Sequence, residues 1–514
     1  MSFMVQPILP QVKNIVFLML ENRSLDNLLG WLYQDDAPAH VFPAGSAPVY
    51  DGLQTGSFQN PSYTWTGALQ NYPVVPVPAD LAGDQDRVPA YDPYEELKAE
   101  GSWKGVMNQL FGTQDEIGGL PPAGAPPPPM QGFLQDYYAT YMAGWQGLDI
   151  LWTYTPGQLP ALNSLARSYA VSDRWFCSVP SQTNPNRAYS VCGTSLGRES
   201  NLNATAVEQF DAPTTFNYLA QAGKSWGLYF TDVWTANQSY TEYTFPRLSQ
   251  AKTNAEIATL PTFFTRASAG TLPDFTYLEP TWGYGKGVLF RQGTDYHPPT
   301  HVLPGDDFLR SVYAAVRSGP QWPGTLLIVT FDEHGGTFDH RGPPAGAINP
   351  DGLKGASGFN FDRFGARVPT LLISPFVRPS TVFREPTGSQ YPLDHTSFVK
   401  TLLRWAGVDP GTVSMGARMP MAPTFEDVLA GDHVNDGLPL SPAAALRPLT
   451  PTTGPTAGGP PAGAGRPLDA VFDGIPFAAI RAILSANDGL AGIVEAARRF
   501  RLDPEAFEGR LTAQ

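Results

Sequence analysis

The segment Thr325–His340 reads TLLIVTFDEHGGTFDH. Leu326, Leu327, Ile328 and Val329 form an unbroken apolar run, too short for an amphipathic helix and without period-2 alternation. That pattern predicts a strand covered on both faces. The run stops at Asp332, Glu333 and His334, followed by Gly335 and Gly336. In open α/β sheets ligands bind at strand ends, where side chains face a crevice instead of a packed layer. Two adjacent carboxylates beside an imidazole are costly to hold together without a cation. Asp332 and Glu333 are therefore candidate metal ligands; the alternative is a polar turn after a buried strand.

Moving outward, Lys13–Leu20 (KNIVFLML) is a second buried-strand candidate, and it too ends in polar residues, Glu21, Asn22, Arg23 and Ser24. Ser24 can cap a helix over Leu25–Leu32, with Asp26 favourable in its first turn. Glu21 and Asn22 then occupy the same topological place as Asp332 and Glu333, unless this is an ordinary strand-to-helix turn. Helical spacing over Leu159–Tyr169, Thr215–Ala222, Asp306–Val316 and part of Ala255–Arg266 interleaves with short strand-like runs. Those runs are Lys224–Tyr229, Phe275–Pro280 and Val368–Ser374. Such alternation predicts an α/β fold with a mainly parallel central sheet and helices on its faces.

Three loops carry further candidate chemistry. Thr183 lies in SVPSQTNPNR, just before a helix expected from Asn186 or Arg187, where free amides and the helix dipole suit a phosphate. A hydroxyl beside a cation can act as a nucleophile; the alternative is that Thr183 and Asn184 only cap the helix. The segment GTDYHPPTHV holds Asp295, His297 and His301, with His297 fixed before two prolines. Asp394 and His395 open a helix bearing Phe398, Leu402 and Trp405; they read as a plain helix start, as supports of the site, or as ligands of a second cation.

The chain has 514 residues, with 42% hydrophobic and 16% charged, 51 Gly and 52 Pro. That predicts one large domain with many ordered loops, or two to three units. A formal charge of −14 disfavours binding to a nucleic-acid backbone. No stretch is long and apolar enough for a membrane span, and no signal peptide is expected in the chain as given. Cys177 and Cys192 are near enough in sequence to pair, but two cysteines make no disulfide framework. Residues 35–138 read as an insertion or lid with a polyproline run at Pro121–Met130, its aromatic residues Tyr63, Trp65, Tyr72, Tyr91 and Trp103 lining an entrance or anchoring loops. Residues 1–442 form the expected catalytic domain. Residues 443–466 read as a Pro/Gly/Ala-rich linker and residues 467–514 as a small helical segment.

Five segments, IVFLMLENRSLDNLLG, SVPSQTNPNR, DYHPP, TLLIVTFDEHGGTFDH and LDHTSFVKTLLRW, occur in this order. Together they resemble the bacterial phosphoesterase family, which holds phospholipases C of the non-haemolytic type and a group of acid phosphatases. The family lies within the alkaline-phosphatase superfamily, so the resemblance implies its three-layer core. It also implies that Glu21, Asn22, Asp332 and Glu333 bind a divalent ion, that Thr183 is the nucleophile, and that His297 contacts the phosphoryl group or protonates the leaving alcohol. His334 falls within the matching segment with a less defined role. Asn184, Asn186, Arg187, Asp394 and His395 would support the site or bind substrate. Three carboxylates and an amide oxygen suit Ca, Mg or Mn, with Zn also accepting carboxylates.

The expected activity is hydrolysis of a phosphodiester of phospholipase C type through a phospho-threonine, with a phosphate ester, a phospholipid among them, as substrate and at most peripheral membrane contact. A broad-specificity acid phosphatase and a non-catalytic binding protein with a vestigial site are the alternatives. Export and oligomeric state stay open.

Overall fold

The computed structural model describes residues 3–437 apart from 64–68, 79–87, 90–96, 98–104, 113–125, 142–147, 202–208, 232–238, 252–254 and 284–291. The expected linker and C-terminal helical segment lie outside the described residues, as do Trp65, Tyr91 and Trp103.

Nine strands form the central sheet: β1 (Asn14–Leu20), β2 (His40–Phe42), β3 (Ala170–Ser172), β4 (Trp226–Phe230), β5 (Ala255–Thr259), β6 (Phe275–Leu278), β7 (Thr325–Phe331), β8 (Thr370–Ile373) and β9 (Thr381–Phe383). Their order is β5-β4-β6-β1-β7-β8-β3-β9-β2. Each neighbouring pair is parallel except the two made by β8, which runs antiparallel to β7 and β3. The sheet is thus mixed but mainly parallel, as the alternating pattern predicts. Every residue of β1 and β7 is buried, which is why these strands read as continuous apolar runs.

The helices form two groups. Thr183–Cys192, Thr215–Gln221 and His395–Trp405 pack together, and Pro160–Ser168, Leu260–Ala269 and Leu303–Ser318 pack together. Among the described residues no helix is long and apolar enough to cross a membrane.

Three regions hold detail that the sequence pattern left open. Ala255–Arg266, expected to be partly helical, opens with a strand, Ala255–Thr259, pairing with β4, and its helix begins at Leu260. Its β-branched Ile257 and Thr259 fit a pleated edge. The region read as an insertion or lid holds an antiparallel ribbon (Gln59–Tyr63 with Leu69–Pro73), the helix Val106–Phe111 and the start of the helix Phe133–Tyr141. These share a separate apolar cluster of Leu53, Val106, Leu110, Phe133 and Leu134, which also takes in Phe338 from the loop after β7. Cys177 and Cys192 are both buried and free, not paired.

Candidate active site

β1 and β7 pair in parallel register from Asn14↔Thr325 to Leu20↔Phe331. The Asp332 amide adds one more rung, donating to the Leu20 carbonyl at 3.1 Å. Glu21-Asn22 and Asp332-Glu333 therefore leave the sheet side by side at its C-terminal edge. The turn is locked from both sides. Asn22 sits at φ 54° and donates its amide to Asp332 Oδ1 at 3.1 Å, and the Glu333 amide donates to the same oxygen at 2.8 Å. Gly335 has φ +63°, and a Cβ there would lie 2.0 Å from the Asn22 carbonyl oxygen. Only glycine allows that approach.

Helix α1 (Leu25–Leu29) follows β1, capped by Ser24, whose hydroxyl accepts from the Asn27 amide. Helix α2 spans Thr183–Cys192, starting three residues before the expected position. The reason is Asn186. Its Oδ1 accepts from the Val179 amide and its Nδ2 donates to the Ser181 carbonyl at 2.8 Å. That side chain folds the preceding loop back on the helix, so Thr183 becomes the first helical residue with Gln182 as its extended cap. Thr183 Oγ1 stands 3.2 Å from Glu21 Oε2 and 3.3 Å from Asn22 Oδ1. One turn on, the Arg187 guanidinium donates to Glu21 Oε1 and to the Met19 carbonyl, and its Nε lies 3.7 Å from Asp332 Oδ2. The Trp282 ring covers it at 4.8 Å. Asn184 Oδ1 accepts from the Tyr240 hydroxyl at 2.6 Å, and its amide donates to Asn201 Oδ1. Asn184 and Asn186 thus serve to shape the loop that presents Thr183.

His297 approaches Asn22 Nδ2 with its Nε2 at 3.0 Å, while its Nδ1 meets the Pro298 carbonyl at 2.5 Å. Because Asn22 Oδ1 is turned to Thr183, its Nδ2 is the donor to His297. The network therefore assigns His297 the Nδ1–H tautomer. The Asp295 carbonyl accepts from the Glu21 amide at 2.8 Å, which ties this loop to the end of β1. Burial pushes the Asp295 carboxyl up to about 6.

His334 is set by residues that sequence reading missed. Gln109 Nε2 donates to Asp136 Oδ2 at 2.9 Å, so its Oε1 accepts from His334 Nε2 at 2.7 Å. His334 Nδ1 then lies 3.3 Å from Glu333 Oε2, which also accepts from the Gly335 amide at 2.6 Å. Burial pushes the His334 ring down to about 3, so it is neutral. Gln109 and Asp136 lie in the insertion, with Gln109 standing 225 residues from the histidine it holds; no local pattern marks them.

The electrostatics fit a hard cation. Glu21 and Asp332 are fully buried and share the Arg187 guanidinium. Burial raises both carboxyls above their usual range, with Arg187 opposing, so ionising both is costly. Asp332 Oδ2 makes no hydrogen bond. Glu21, Asn22, Asp332 and the Thr183 hydroxyl converge as oxygen donors, whereas Glu333 Oε2 is engaged by the Gly335 amide. Among the described residues, the group whose ligand atoms lie within 4.8 Å of one another is a different one: Asp26, Asp339 and His340. That cluster could hold an ion, and like the Glu21–Asp332 pair with Arg187 it contains an internal cation. Arg367 donates to Asp26 Oδ1 at 3.0 Å and Asp339 Oδ1 at 2.9 Å. His340, pushed up to about 9 despite burial because Asp26 lies beside it, adds a second positive charge.

Asp394 is the N-cap of helix α3 (His395–Trp405). It accepts from the Thr396 amide and completes a capping box with Ser397, which is the plain helix-start reading. His395 Nε2 reaches the Asp332 backbone carbonyl at 2.6 Å and so buttresses the site from behind.

A family model described as "Phosphoesterase family" matches residues 12–409. The chain is 34% identical over 402 residues to non-specific phospholipase C3 of Arabidopsis thaliana, covering 76% of this chain and 69% of that protein. It is 31% identical over 430 residues to non-specific phospholipase C6 of the same plant, covering 82% and 72%. Phospholipase C B of Mycobacterium tuberculosis is 26% identical over 469 residues, covering 82% and 77%. The solved structure of murine ectonucleotide pyrophosphatase / phosphodiesterase 5 is similar at a TM-score of 0.31 and 10% identity, over 53% of this chain and 95% of that one, a level that carries no argument.

Proposed function

The chain belongs to the Phosphoesterase family, a family of hydrolytic enzymes, and from that premise we propose a phosphodiester hydrolase of phospholipase C type that works through a phospho-threonine. The observation that carries this reading is Thr183 Oγ1 held 3.2–3.3 Å from Glu21 and Asn22 at the first turn of α2. The names of its relatives in plants and mycobacteria support the diester class.

Glu21, Asn22, Asp332 and Glu333 are the residues proposed to hold a divalent ion. When bound, such an ion screens the phosphate's charge and favours the threonine alkoxide. Thr183 oxygen attacks phosphorus in line, and the bond to the alcohol breaks. His297, whose Nε2 beside Asn22 carries no proton, takes up the proton that Thr183 gives up and passes it to the departing alkoxide. Water then cleaves the phospho-threonine and frees the phosphate product. The amides at the start of α2 and the Arg187 guanidinium bias the crevice toward an anion. The Gly335 amide holds Glu333 on the opposite side, where Gln109 fixes the neutral His334 ring beside it.

Thr183→Ala is expected to lower kcat by about 10³-fold or more while circular dichroism and Tm stay near wild type. Near-normal turnover would remove Thr183 as nucleophile. Chelation followed by addition of Ca, Mg, Mn or Zn one at a time should restore the rate, with metal content measured alongside. A rate indifferent to verified metal loss would end the metal assignment. Faster turnover of p-nitrophenyl phosphate than of p-nitrophenylphosphorylcholine would favour the monoesterase reading.

A further inference from the structure

Away from these residues, a cavity of about 240 Å³ is lined by Arg174, Phe176, Arg341, Glu385 and Tyr391 among others. None of these is a candidate catalytic or metal-binding residue. The volume is below the ~300–1,000 Å³ typical of sites for drug-sized ligands, so its occupant is small.

Two arginines, Arg174 and Arg341, line it, with Arg384 next to Glu385 in sequence, and Arg384 and Arg341 are satisfied within the protein. Arg384 donates to both oxygens of Asp173 at 2.8 and 2.7 Å, and Arg341 is paired with Asp51. Arg174 is not satisfied in that way. Its Nε is buried without a hydrogen bond, and its ion pair with Glu385 is open at 3.8 Å, against about 2.7–2.9 Å for a closed charge-assisted bond. Glu385 Oε2 is likewise buried without a hydrogen bond. A buried donor and a buried acceptor of opposite charge are thus left open in one cavity.

A plain oxyanion would satisfy Arg174 but face Glu385. A plain cation would satisfy Glu385 but face two guanidiniums. A zwitterion satisfies both. Two guanidiniums side by side suit a tetrahedral oxyanion. Phe176 and Tyr391 belong to one apolar cluster, giving a wall on which an alkylammonium can rest. We propose that this cavity binds a small phosphorylated amine, its oxyanion on Arg174 and Arg341 and its ammonium on Glu385 and the aromatic wall. Of its lining, Phe176 pairs with Asp394 across a short ribbon, which links the cavity wall to the Asp394–His395 support of Asp332.

The test uses the full chain carrying Thr183→Ala, titrated calorimetrically with phosphocholine, inorganic phosphate, choline and betaine. Phosphocholine is expected to bind more tightly than phosphate or choline. Arg174→Met should weaken phosphocholine at least tenfold, and Glu385→Gln should weaken it at least fivefold while leaving inorganic phosphate unchanged or tighter. In the Thr183 background, p-nitrophenyl phosphate turnover by Arg174→Met and Glu385→Gln should match wild type, which also shows that the variants fold. Phosphocholine binding that ignores both substitutions, or betaine binding as tight as phosphocholine, would overturn the proposal. So would the absence of any binding at millimolar ligand. Co-sedimentation with phosphatidylcholine vesicles identifies the source: loss in Arg174→Met points to a lipid headgroup, and no change points to the free phosphoamine. The readout is binding, so it stands or falls separately from the role of Thr183.

Discussion

At the residue scale, Asn22 does three jobs. Its amide orders Asp332, its Oδ1 receives Thr183, and its Nδ2 fixes His297. It also pays for a left-handed backbone at φ 54°, which asparagine tolerates better than most residues. Asn22→Gly and Asn22→Ala should therefore lose turnover to a similar degree, since both remove the amide group. Only Asn22→Ala should add a backbone penalty, roughly 1 kcal/mol of stability relative to Asn22→Gly. Equal stabilities in urea unfolding would show that the left-handed turn is not enforced. Polar residues at the strand end mark Asn22 in the sequence. Gln109 carries no such mark, because its role comes from a helix of the insertion being docked against His334.

At the element scale, the start of α3 joins stability to the site. Asp394 caps the helix and receives the Ser178 hydroxyl at 2.9 Å, next to His395 on the Asp332 carbonyl. Asp394→Ala should destabilise the fold by roughly 1–2 kcal/mol, the usual cost of a lost cap, and lower Tm. Because the cap fixes the first turn that carries His395, kcat should fall several-fold while KM changes little. An unchanged Tm would mean that the cap is replaced by a neighbour. The LDHTS pattern announces this helix start locally, whereas the true start of α2 is hidden, since it depends on Asn186 folding back on a loop whose own residues favour turns.

At the scale of the whole molecule, the buried network of Asp26, Asp339, His340 and Arg367, with Asp51 beside it, ties α1 to the loop after β7 and to the approach to β8. Folded His340 is pushed up to about 9, above the ~6.5 of an unperturbed histidine. Its contribution is therefore fully present below pH ~6.5 and is lost as pH rises through about 9. Asp26 is shifted the other way, held low by His340 and Arg367 against the opposing effect of burial, so its contribution is lost as pH falls below the usual carboxylate range. The stability gap between wild type and His340→Gln should be on the order of 2 kcal/mol near pH 6 and shrink toward zero above pH 9. A gap that stays constant across that range would assign the loss to packing instead of charge.

The apolar runs Lys13–Leu20 and Thr325–Phe331 and their polar ends were enough to announce a buried parallel sheet and the edge that carries the chemistry. Hydrophobic continuity and its sudden stop are local signals. What needed the tertiary structure was everything set by register and by docking of distant segments. The pairing of Leu20 with Phe331 puts Glu21 beside Asp332. Antiparallel β8 comes from its place between β7 and β3, not from its composition. Gln109, Arg367 and the Arg174–Glu385 pair acquire meaning only when far-apart chain is buried together, because a polar group's role is decided by which partners remain once water has been excluded.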